Sequence, residues 1–346
     1  MESLKKQNNN LPPVTSRKES LISLLSENKM FVILAMAYLL LGILTRGAYF
    51  APDNFLYMVQ AESGVGILTF GVTFCIISGG IDLSLGSVVS LSSVVAGSFA
   101  QKLAYSAKIF PGMAPYPAVV ALLIGLAVGL AVGFTNGMFI AYTRIHPFIA
   151  TLGSMCIARG LALVYTKGQP VSQLTDSFNK FGNIHIWGDV TGIMVFFIIC
   201  GAISWYLLNQ TRFGRSVYAI GGNLAGNSAA ARVVGINVEH NLVKVYALSG
   251  LFAGLGGVLI AARTGAGNPT LGLNMELDAI AAATIGGVSQ RGGIGRISGV
   301  FAGILILGIV KSALIYLGIS SYFQDIVKGV IIIFAVVLDM TGQKNN

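Results

Sequence analysis

Charged side chains are scarce in this sequence, at 10% of its 346 residues. Water-soluble domains carry about 25% charged residues, so this composition excludes an ordinary soluble protein. Cysteine is rare as well, and Cys75, Cys156 and Cys200 all lie within apolar segments. Because no paired-cysteine or Cys/His ligand spacing occurs, the sequence predicts neither a metal site nor a bound cofactor.

A phosphate-binding loop of the form GxxxxGK[ST] is absent from the printed sequence. The stretches GVGILTFG and GGIGRISG share its glycines but lack its lysine. The histidines His146, His185 and His240 have no nucleophile or carboxylate at a spacing typical of catalysis. We therefore expect no enzyme activity and no catalytic residues in this chain, which lacks its own nucleotide-binding motif.

Hydrophobic residues make up 54% of the sequence, and long apolar runs recur from Met30 to Met340. A bilayer core about 30 Å thick is crossed by about 20 helical residues, so such runs predict transmembrane helices. The sequence thus predicts an all-α, polytopic membrane protein with about ten transmembrane helices, some of them short or broken. The predicted spans lie near residues 30–46, 55–78, 83–100, 118–142, 148–166, 191–208, 241–262, 276–288, 295–316 and 322–339.

The formal net charge of +9 is strongly basic. Basic residues collect in the cytoplasmic loops of membrane proteins, and most Lys and Arg residues fall on one side if the N-terminus is cytoplasmic. With ten spans, both termini are then expected in the cytoplasm. The basic residues are scattered among short loops and form no single basic face, which argues against nucleic-acid binding.

The predicted parts are a polar cytoplasmic tail at 1–29, a membrane domain at 30–340 and a short cytoplasmic tail at 341–346. The longest cytoplasmic loop, 209–241, contains the alanine-rich stretch LAGNSAAARVV. This stretch predicts a short helix that Asn223 caps and Gly235 ends. Because a short helix is marginal in water, it either packs on its own bundle or docks into a cytoplasmic partner.

Glycines recur every four residues in two spans, at Gly125, Gly129, Gly133 and Gly137 and at Gly295, Gly299 and Gly303. Such spacing places small residues on one helical face and predicts close helix packing. The stretch RTGAGNPTLGLNMELDAIAAATIGG (263–287) has glycines, a proline and two acids before a short apolar run. It is typical of a half-helix or re-entrant segment, and such segments often border the substrate route of transporters.

Several ionisable residues fall within or near the predicted spans. An Asp, Lys or Arg at the centre of a membrane helix costs about 2.5–3.5 kcal/mol on insertion scales, so partners are expected. We expect Arg159 to pair with a carboxylate, either Glu62 or Asp278. Asp325 and Lys328 are three residues apart on one helical face and are expected to pair with each other.

The stretch ISGGIDLSLGS (77–87) places an acid between glycines and serines. Gly79 and Gly80 suit the left-handed backbone that ends a helix. Asp82 or Ser84 can accept hydrogen bonds from the free amides that open the next helix, and the acid suits that positive end. We interpret this stretch as a hinge and cap between the second and third spans, on the cytoplasmic side.

Four stretches, in order along residues 55–340, resemble the sugar-importing ATP-binding cassette permeases of the ribose and galactose type. They are ISGGIDLSLGS, HPFIATLGSM, TRFGRSVYAIGGN with AARVVGIN, and MELDAIAAATIGGVSQRGGIG. The resemblance implies a homodimeric channel in the bacterial inner membrane, two copies of a cytoplasmic ATPase and a periplasmic sugar-binding protein. It also implies that the long loop receives force from the ATPase. The candidate coupling residues are Gly221, Gly222, Asn223, Ala229, Ala230, Ala231 and Gly235.

Within this family the galactose/methyl-galactoside type matches best, and ribose, a nucleoside or a signalling sugar are alternative substrates. Polar and aromatic residues on the fourth span, the fifth span and the irregular segment before the eighth are candidates for lining the substrate path. They are Asn136, Phe148, Thr151, Ser154, Asn274 and Glu276. An ion-coupled secondary transporter that uses Glu62, Arg159 and Asp278 as a relay is the alternative from another class.

Overall fold

The computed structural model describes residues 29–222 and 229–342, most of which are helical. An antiparallel hairpin pairs strands β1 (His185–Trp187) and β2 (Val190–Thr191), and a π-helical turn covers Phe139–Thr143. The helices are α1 (Lys29–Leu44), α2 (Pro52–Ile77), α3 (Leu85–Phe99), α4 (Ala118–Met138), α5 (Pro147–Thr166), α6 (Asp176–Asn183), α7 (Gly192–Gln210), α8 (Arg212–Gly221), α9 (Ala229–Val233), α10 (Val238–Thr264), α11 (Met275–Ile285), α12 (Ile297–Tyr316) and α13 (Ser321–Gly342).

Among the described residues, six helices are long and apolar enough to cross a membrane: α2, α4 with its π-helical turn, α5, α7, α10 and α12. Helices α1 and α3 are shorter apolar helices. The helices α1 to α5, α7 and α10 to α13 coincide with the predicted spans to within a few residues. The predicted all-α, polytopic membrane fold is therefore confirmed. The sequence did not predict α6, α8 or the hairpin.

Helix α10 lies at the centre of the bundle and packs against α2, α3 and α4. The glycine face of α4 makes this packing close, since a Cβ at Gly129 would lie 2.7 Å from the Cα of Gly254. The second set of regularly spaced glycines brings α12 close to α11 in the same way. A Cβ at Gly303 would lie 2.9 Å from the Cα of Gly286. The close packing predicted from both glycine spacings is confirmed.

The two ends of the bundle carry different loops. One end, termed the glycine end, carries the pairs Gly79–Gly80, Gly221–Gly222 and Gly292–Gly293. The other, termed the hairpin end, carries α6 and the β-hairpin. At the hairpin end Lys102 pairs with Asp176 at 2.8 Å, and this hydrogen bond from the ammonium holds the pKa of the Asp176 carboxyl below its usual value.

Candidate functional site

Residues 78–84 connect α2 to α3 and turn back into the bundle; they are termed the joint. Gly79 has a φ of 82°, in the left-handed region that favours glycine. The chain then runs inward, and Asp82 is 0% exposed. The sequence placed this acid at a cytoplasmic turn, whereas the structure places it inside the protein. It can lie there because hydrogen-bond donors surround its carboxylate.

Polar side chains from the joint and from α4, α5 and α10 form one hydrogen-bonded series, termed the polar chain. The Asp82 carboxylate accepts the Ser84 N–H (3.0 Å) and the Ser84 hydroxyl (2.6 Å). The Ser249 hydroxyl donates to its other oxygen at 2.8 Å. Asn136 donates to the Ser84 hydroxyl oxygen at 3.0 Å, and the Ser154 hydroxyl donates to Asn136. The donors thus point towards Asp82 and stabilise its buried charge.

The polar chain joins two of the residues proposed for the substrate path, Asn136 and Ser154, to the joint. Two further candidates, Phe148 and Thr151, lie on α5, which also carries Ser154. Thr151 is fully buried, and its hydroxyl donates to Pro147 O at 2.9 Å within the helix. Phe148 is 46% exposed, so its ring is accessible from outside the single chain.

Residues 265–274 run alongside α3 to the start of α11 and are termed the re-entrant segment. The Ser90 hydroxyl of α3 donates to Pro269 O at 2.6 Å. Arg159 on α5 donates to Pro269 O at 3.0 Å and to Leu271 O at 2.8 Å. The expected pairing of Arg159 with Glu62 or Asp278 was therefore wrong. Irregular backbone leaves carbonyl oxygens unpaired, and these satisfy the guanidinium instead.

Asn274 and Glu276 lie where the re-entrant segment enters α11. Asn274 has a left-handed backbone with φ 63°. The Glu276 carboxylate reaches α3, where a Cβ at Gly86 would overlap its Oε2. This oxygen is buried and has no hydrogen-bond partner within residues 29–222 and 229–342. Glu276 therefore presents an unused acceptor close to the start of α3.

Charged residues from α2, α11, α12 and α13 form the charge cluster: Glu62, Asp278, Lys311, Asp325 and Lys328. The Lys311 ammonium lies 3.1 Å from Glu62 and 3.0 Å from Asp278. The Lys328 ammonium lies 3.0 Å from Asp278 and 3.2 Å from Asp325. The predicted pairing of Asp325 with Lys328 is confirmed. Glu62 and Asp278 pair with lysines, not with the expected arginine, because α12 and α13 bring ammonium groups between them.

The glycine pairs at the glycine end touch through their backbones and form the glycine junction. The Gly293 N–H donates to Ile77 O, at the end of α2, at 2.8 Å. A Cβ at Gly221 would overlap the same carbonyl oxygen, and a Cβ at Gly292 would lie 3.0 Å from the Cα of Gly79. Three backbone segments therefore touch here with no side chain between them. They are the end of α2, the end of α8 and the loop before α12.

The described residues of the predicted loop 209–241 are largely helical and include α8, α9 and the first turn of α10. The Tyr218 hydroxyl donates to Gly295 O at 2.7 Å. Phe213 stacks on Phe74 of α2, with ring centroids 6.0 Å apart. Helix α8 is therefore packed onto its own bundle.

Helix α9 begins at Ala229 and includes Ala230 and Ala231, two of the predicted coupling residues. Ala231 is 3% exposed and packs against apolar side chains of α8 and α10, whereas Ala230 is exposed. Val233 and Val234 are 86% and 73% exposed and were not among the sequence candidates. In the single chain, the valines and Ala230 thus face outward and Ala231 faces inward.

The remaining coupling candidates flank α9. Gly222 lies in the glycine junction beside Gly293. Gly235 follows α9 with a φ of 81°, which is the conformation expected at a helix end. Asn223, proposed as the cap of this helix, lies outside the described residues.

A cavity of about 630 Å³ opens beside the glycine junction. Its lining includes Gly79, Gly80, Arg144, Gly221, Tyr246 and Arg291. The Tyr246 hydroxyl donates to Ile81 O at 3.3 Å, within the joint. The joint therefore borders open space on one side and the polar chain on the other.

A bundle of apolar helices that encloses a buried polar chain and a re-entrant segment is the architecture of a membrane transport protein. Residues 54–336 match the family described as branched-chain amino acid transport system / permease component. This match covers most of the chain, so the chain belongs to this family of permeases.

Similar proteins include sugar import permeases. The galactose/methyl galactoside import permease protein MglC of Escherichia coli (strain K12) is 40% identical over 329 residues, covering 93% of this chain and 96% of that protein. The ribose import permease protein RbsC of Bacillus subtilis (strain 168) is 41% identical over 298 residues, covering 84% and 86%. The resemblance to the ribose and galactose type is confirmed. No solved structure matches the chain significantly.

Proposed function

We propose that this chain is the membrane-spanning subunit of an ATP-binding cassette importer that carries galactose or a methyl galactoside across the bacterial inner membrane. The observation that carries the proposal is the 40% identity over 329 residues to a galactose/methyl galactoside import permease. The 41% identity over 298 residues to a ribose import permease supports ribose as the second candidate. A nucleoside or a signalling sugar fits the same class of importer.

The substrate route in this proposal passes the start of α3, between the polar chain and α11. Sugars carry hydroxyl groups that donate and accept hydrogen bonds. The buried Oε2 of Glu276 is an acceptor suited to such a hydroxyl, and Asn274 lies two residues before it. Asn136 and Ser154 supply further polar groups, and the exposed ring of Phe148 offers an apolar surface to the sugar ring.

A separate cytoplasmic ATPase supplies the work in this proposal and docks on α9. Exposed Val233 and Val234 form an apolar patch suited to a partner protein. Displacement of α9 and α8 would reach Gly221, which touches Ile77 at the start of the joint. In this arrangement the glycine end and both termini face the cytoplasm.

The complete importer in this proposal contains two copies of this chain. A periplasmic sugar-binding protein delivers the sugar at the hairpin end. Helix α5 supports a further contact surface, because Ile149, Ile157 and Val164 are 62%, 65% and 78% exposed in the single chain. A second copy or lipid would cover this apolar face.

The test is uptake of radiolabelled sugars by a bacterial strain that lacks its own sugar permeases and produces this chain with its ATPase and binding protein. We expect saturable galactose uptake that requires ATP hydrolysis by the partner. Ribose uptake without galactose uptake would identify the second candidate. Uptake by the purified chain alone in vesicles, driven by an ion gradient, would instead establish a secondary transporter.

A further inference from the structure

Helix α11 has eleven residues and irregular backbone on both sides. The re-entrant segment precedes it, and residues 286–296 follow it. A helix this short is not held in place by its own backbone, because its stability depends on tertiary packing. It nevertheless carries Glu276, the acceptor that the proposed sugar route requires. The charge cluster lies at the same first turn of α11 and ties it to neighbouring helices.

Glu276 and Asp278 lie on different sides of α11, as residues two apart on a helix do. Glu276 reaches Gly86 on α3, and Asp278 reaches Lys311 on α12 and Lys328 on α13. The Asp278 Oδ2 accepts a hydrogen bond from Lys311 at 3.0 Å, and its Oδ1 lies 3.0 Å from the Lys328 ammonium in an ion-pair contact that lacks hydrogen-bond geometry. The first turn of α11 is therefore held between α3 on one side and two lysine-bearing helices on the other.

Four members of the charge cluster are buried or mostly buried, which distinguishes it from a surface ion pair, and Asp325 is the exposed exception. Asp278 and Glu62 are 6% and 7% exposed. The side chains of Lys311 and Lys328 are 23% and 18% exposed. Desolvation of such charges offsets much of their attraction, so the arrangement adds little net stability. Its geometry is specific, however, because moving Asp278 away would leave charges unpaired inside the protein.

We propose that Asp278 is a positioning residue: Lys311 and Lys328 hold it from one side and thereby keep Glu276 against Gly86 on the other. This inference rests on the proposed function, since it assigns Glu276 to the sugar route. The charge cluster sets how α11 presents that acceptor and does not contact the sugar itself.

Lys328 is the position at which the charge cluster is best tested. Lys328→Met removes one lysine and leaves Asp278 in contact with Lys311, which it then shares with Glu62 as the single cation of two buried carboxylates. The other partner of Lys328 is Asp325, whose side chain is 64% exposed, so this carboxylate loses a partner without being left buried. Lys328→Arg keeps the positive charge at the same position and is the matched control.

The experiment is hydrogen–deuterium exchange with mass spectrometry on the full chain in lipid nanodiscs. In Lys328→Met we expect amides of 275–285 to exchange at least about fivefold faster than in the wild type, because the helix opens locally more often. Lys328→Arg should exchange at the wild-type rate, and residues 118–130 of α4 should be unchanged in both variants. Unchanged exchange in Lys328→Met, or equal acceleration in α4, overturns the inference.

Sugar uptake by the assembled importer is the second readout. We expect Lys328→Met to raise the KM for the sugar-loaded binding protein about fivefold with a smaller change in maximal rate, and Lys328→Arg to restore it. Faster exchange in α11 with an unchanged KM overturns the link between the charge cluster and the route. Absence of sugar transport by the wild type contradicts the proposed function, and the exchange rates of α11 then decide by themselves whether Asp278 positions this helix.

Discussion

Gly221, at the end of α8, lies directly on the carbonyl oxygen of Ile77, at the end of α2. No side chain fits between the two backbones, so Gly221→Ala must separate α8 from α2. We expect sugar uptake per membrane-inserted molecule to fall at least about tenfold, which corresponds to about 1.4 kcal/mol. Uptake assays normalised by immunoblot of the membrane fraction measure this effect.

The matched control for this substitution is Gly329→Ala on α13, where a Cβ would meet open space. Alanine is also the better helix former, so this variant should insert and transport like the wild type. Equal uptake by the two alanine variants would contradict the role of the glycine junction in transport.

The hydroxyl of Ser249 is expected to contribute to stability through the polar chain. Ser249→Ala removes a donor to the buried Asp82 carboxylate, which costs about 1–3 kcal/mol of the free energy of unfolding. Ser92→Ala is the control, because Ser92 is also 0% exposed but its hydroxyl has no hydrogen-bond partner in the described part of the chain. Thermal unfolding in detergent should show a lower Tm for Ser249→Ala alone. The same Tm in both variants would argue against the polar chain.

Asp82→Ala removes the acceptor on which the polar chain converges. The joint then loses its fixed position at the start of α3, while the apolar helices that direct membrane insertion are unchanged. We expect transport to fall more than the amount of protein in the membrane. Normal uptake at normal membrane levels would show that the joint is not part of the transport mechanism.

The exposed valines at the end of α9 are expected to contribute to binding of the ATPase and not to the stability of the fold. Val233 and Val234 are 86% and 73% exposed, so Val233→Ser with Val234→Ser should leave the Tm of the isolated chain unchanged. Co-purification of the cassette ATPase in detergent should fall. Leu103→Ser, at an exposed position near the hairpin end, is the control and should retain the ATPase. If the double variant co-purifies as much ATPase as the wild type, these valines are not part of the docking surface.

Glu276→Gln tests the unused acceptor beside α3. A neutral amide is cheaper to bury than a carboxylate, so we expect an equal or higher Tm. Uptake should nevertheless weaken, with a higher KM, because a charged acceptor binds hydroxyl groups more strongly than an amide does. Uptake kinetics and thermal unfolding of the same preparations separate the two effects. Unaltered kinetics would remove Glu276 from the proposed route.

The membrane helices and their close packing could be predicted because both depend on local pattern. Apolar runs of spanning length indicated the helices, and glycines four residues apart on α4 indicated the face that meets α10. The pairing of polar groups could not be predicted in this way. Ser249 lies in an apolar helix, 167 residues from Asp82, and only the folded bundle brings its hydroxyl to that carboxylate.

The partners of Arg159 show a similar limit. The sequence indicated that its charge required compensation, but a carboxylate and a set of backbone carbonyls are equally able to supply it. The path of the re-entrant segment decides whether a carboxylate or backbone carbonyls compensate the charge of Arg159. Local sequence propensity does not specify this path. The inward position of Ala231 likewise depends on how α8 and α10 pack, whereas exposed Val233 and Val234 could have been noticed as apolar residues in a loop.

The wide separation of Asp82 and Ser249 along the chain has a consequence for biosynthesis. The ribosome synthesises Asp82 well before Ser249, which follows 167 residues later and donates a hydrogen bond to it. The nascent carboxylate thus emerges long before its final surroundings exist, and burying it early would be costly. One of the three hydrogen-bond donors to this buried carboxylate therefore becomes available only when α10 is synthesised, whereas both donors from Ser84 follow the acid within two residues.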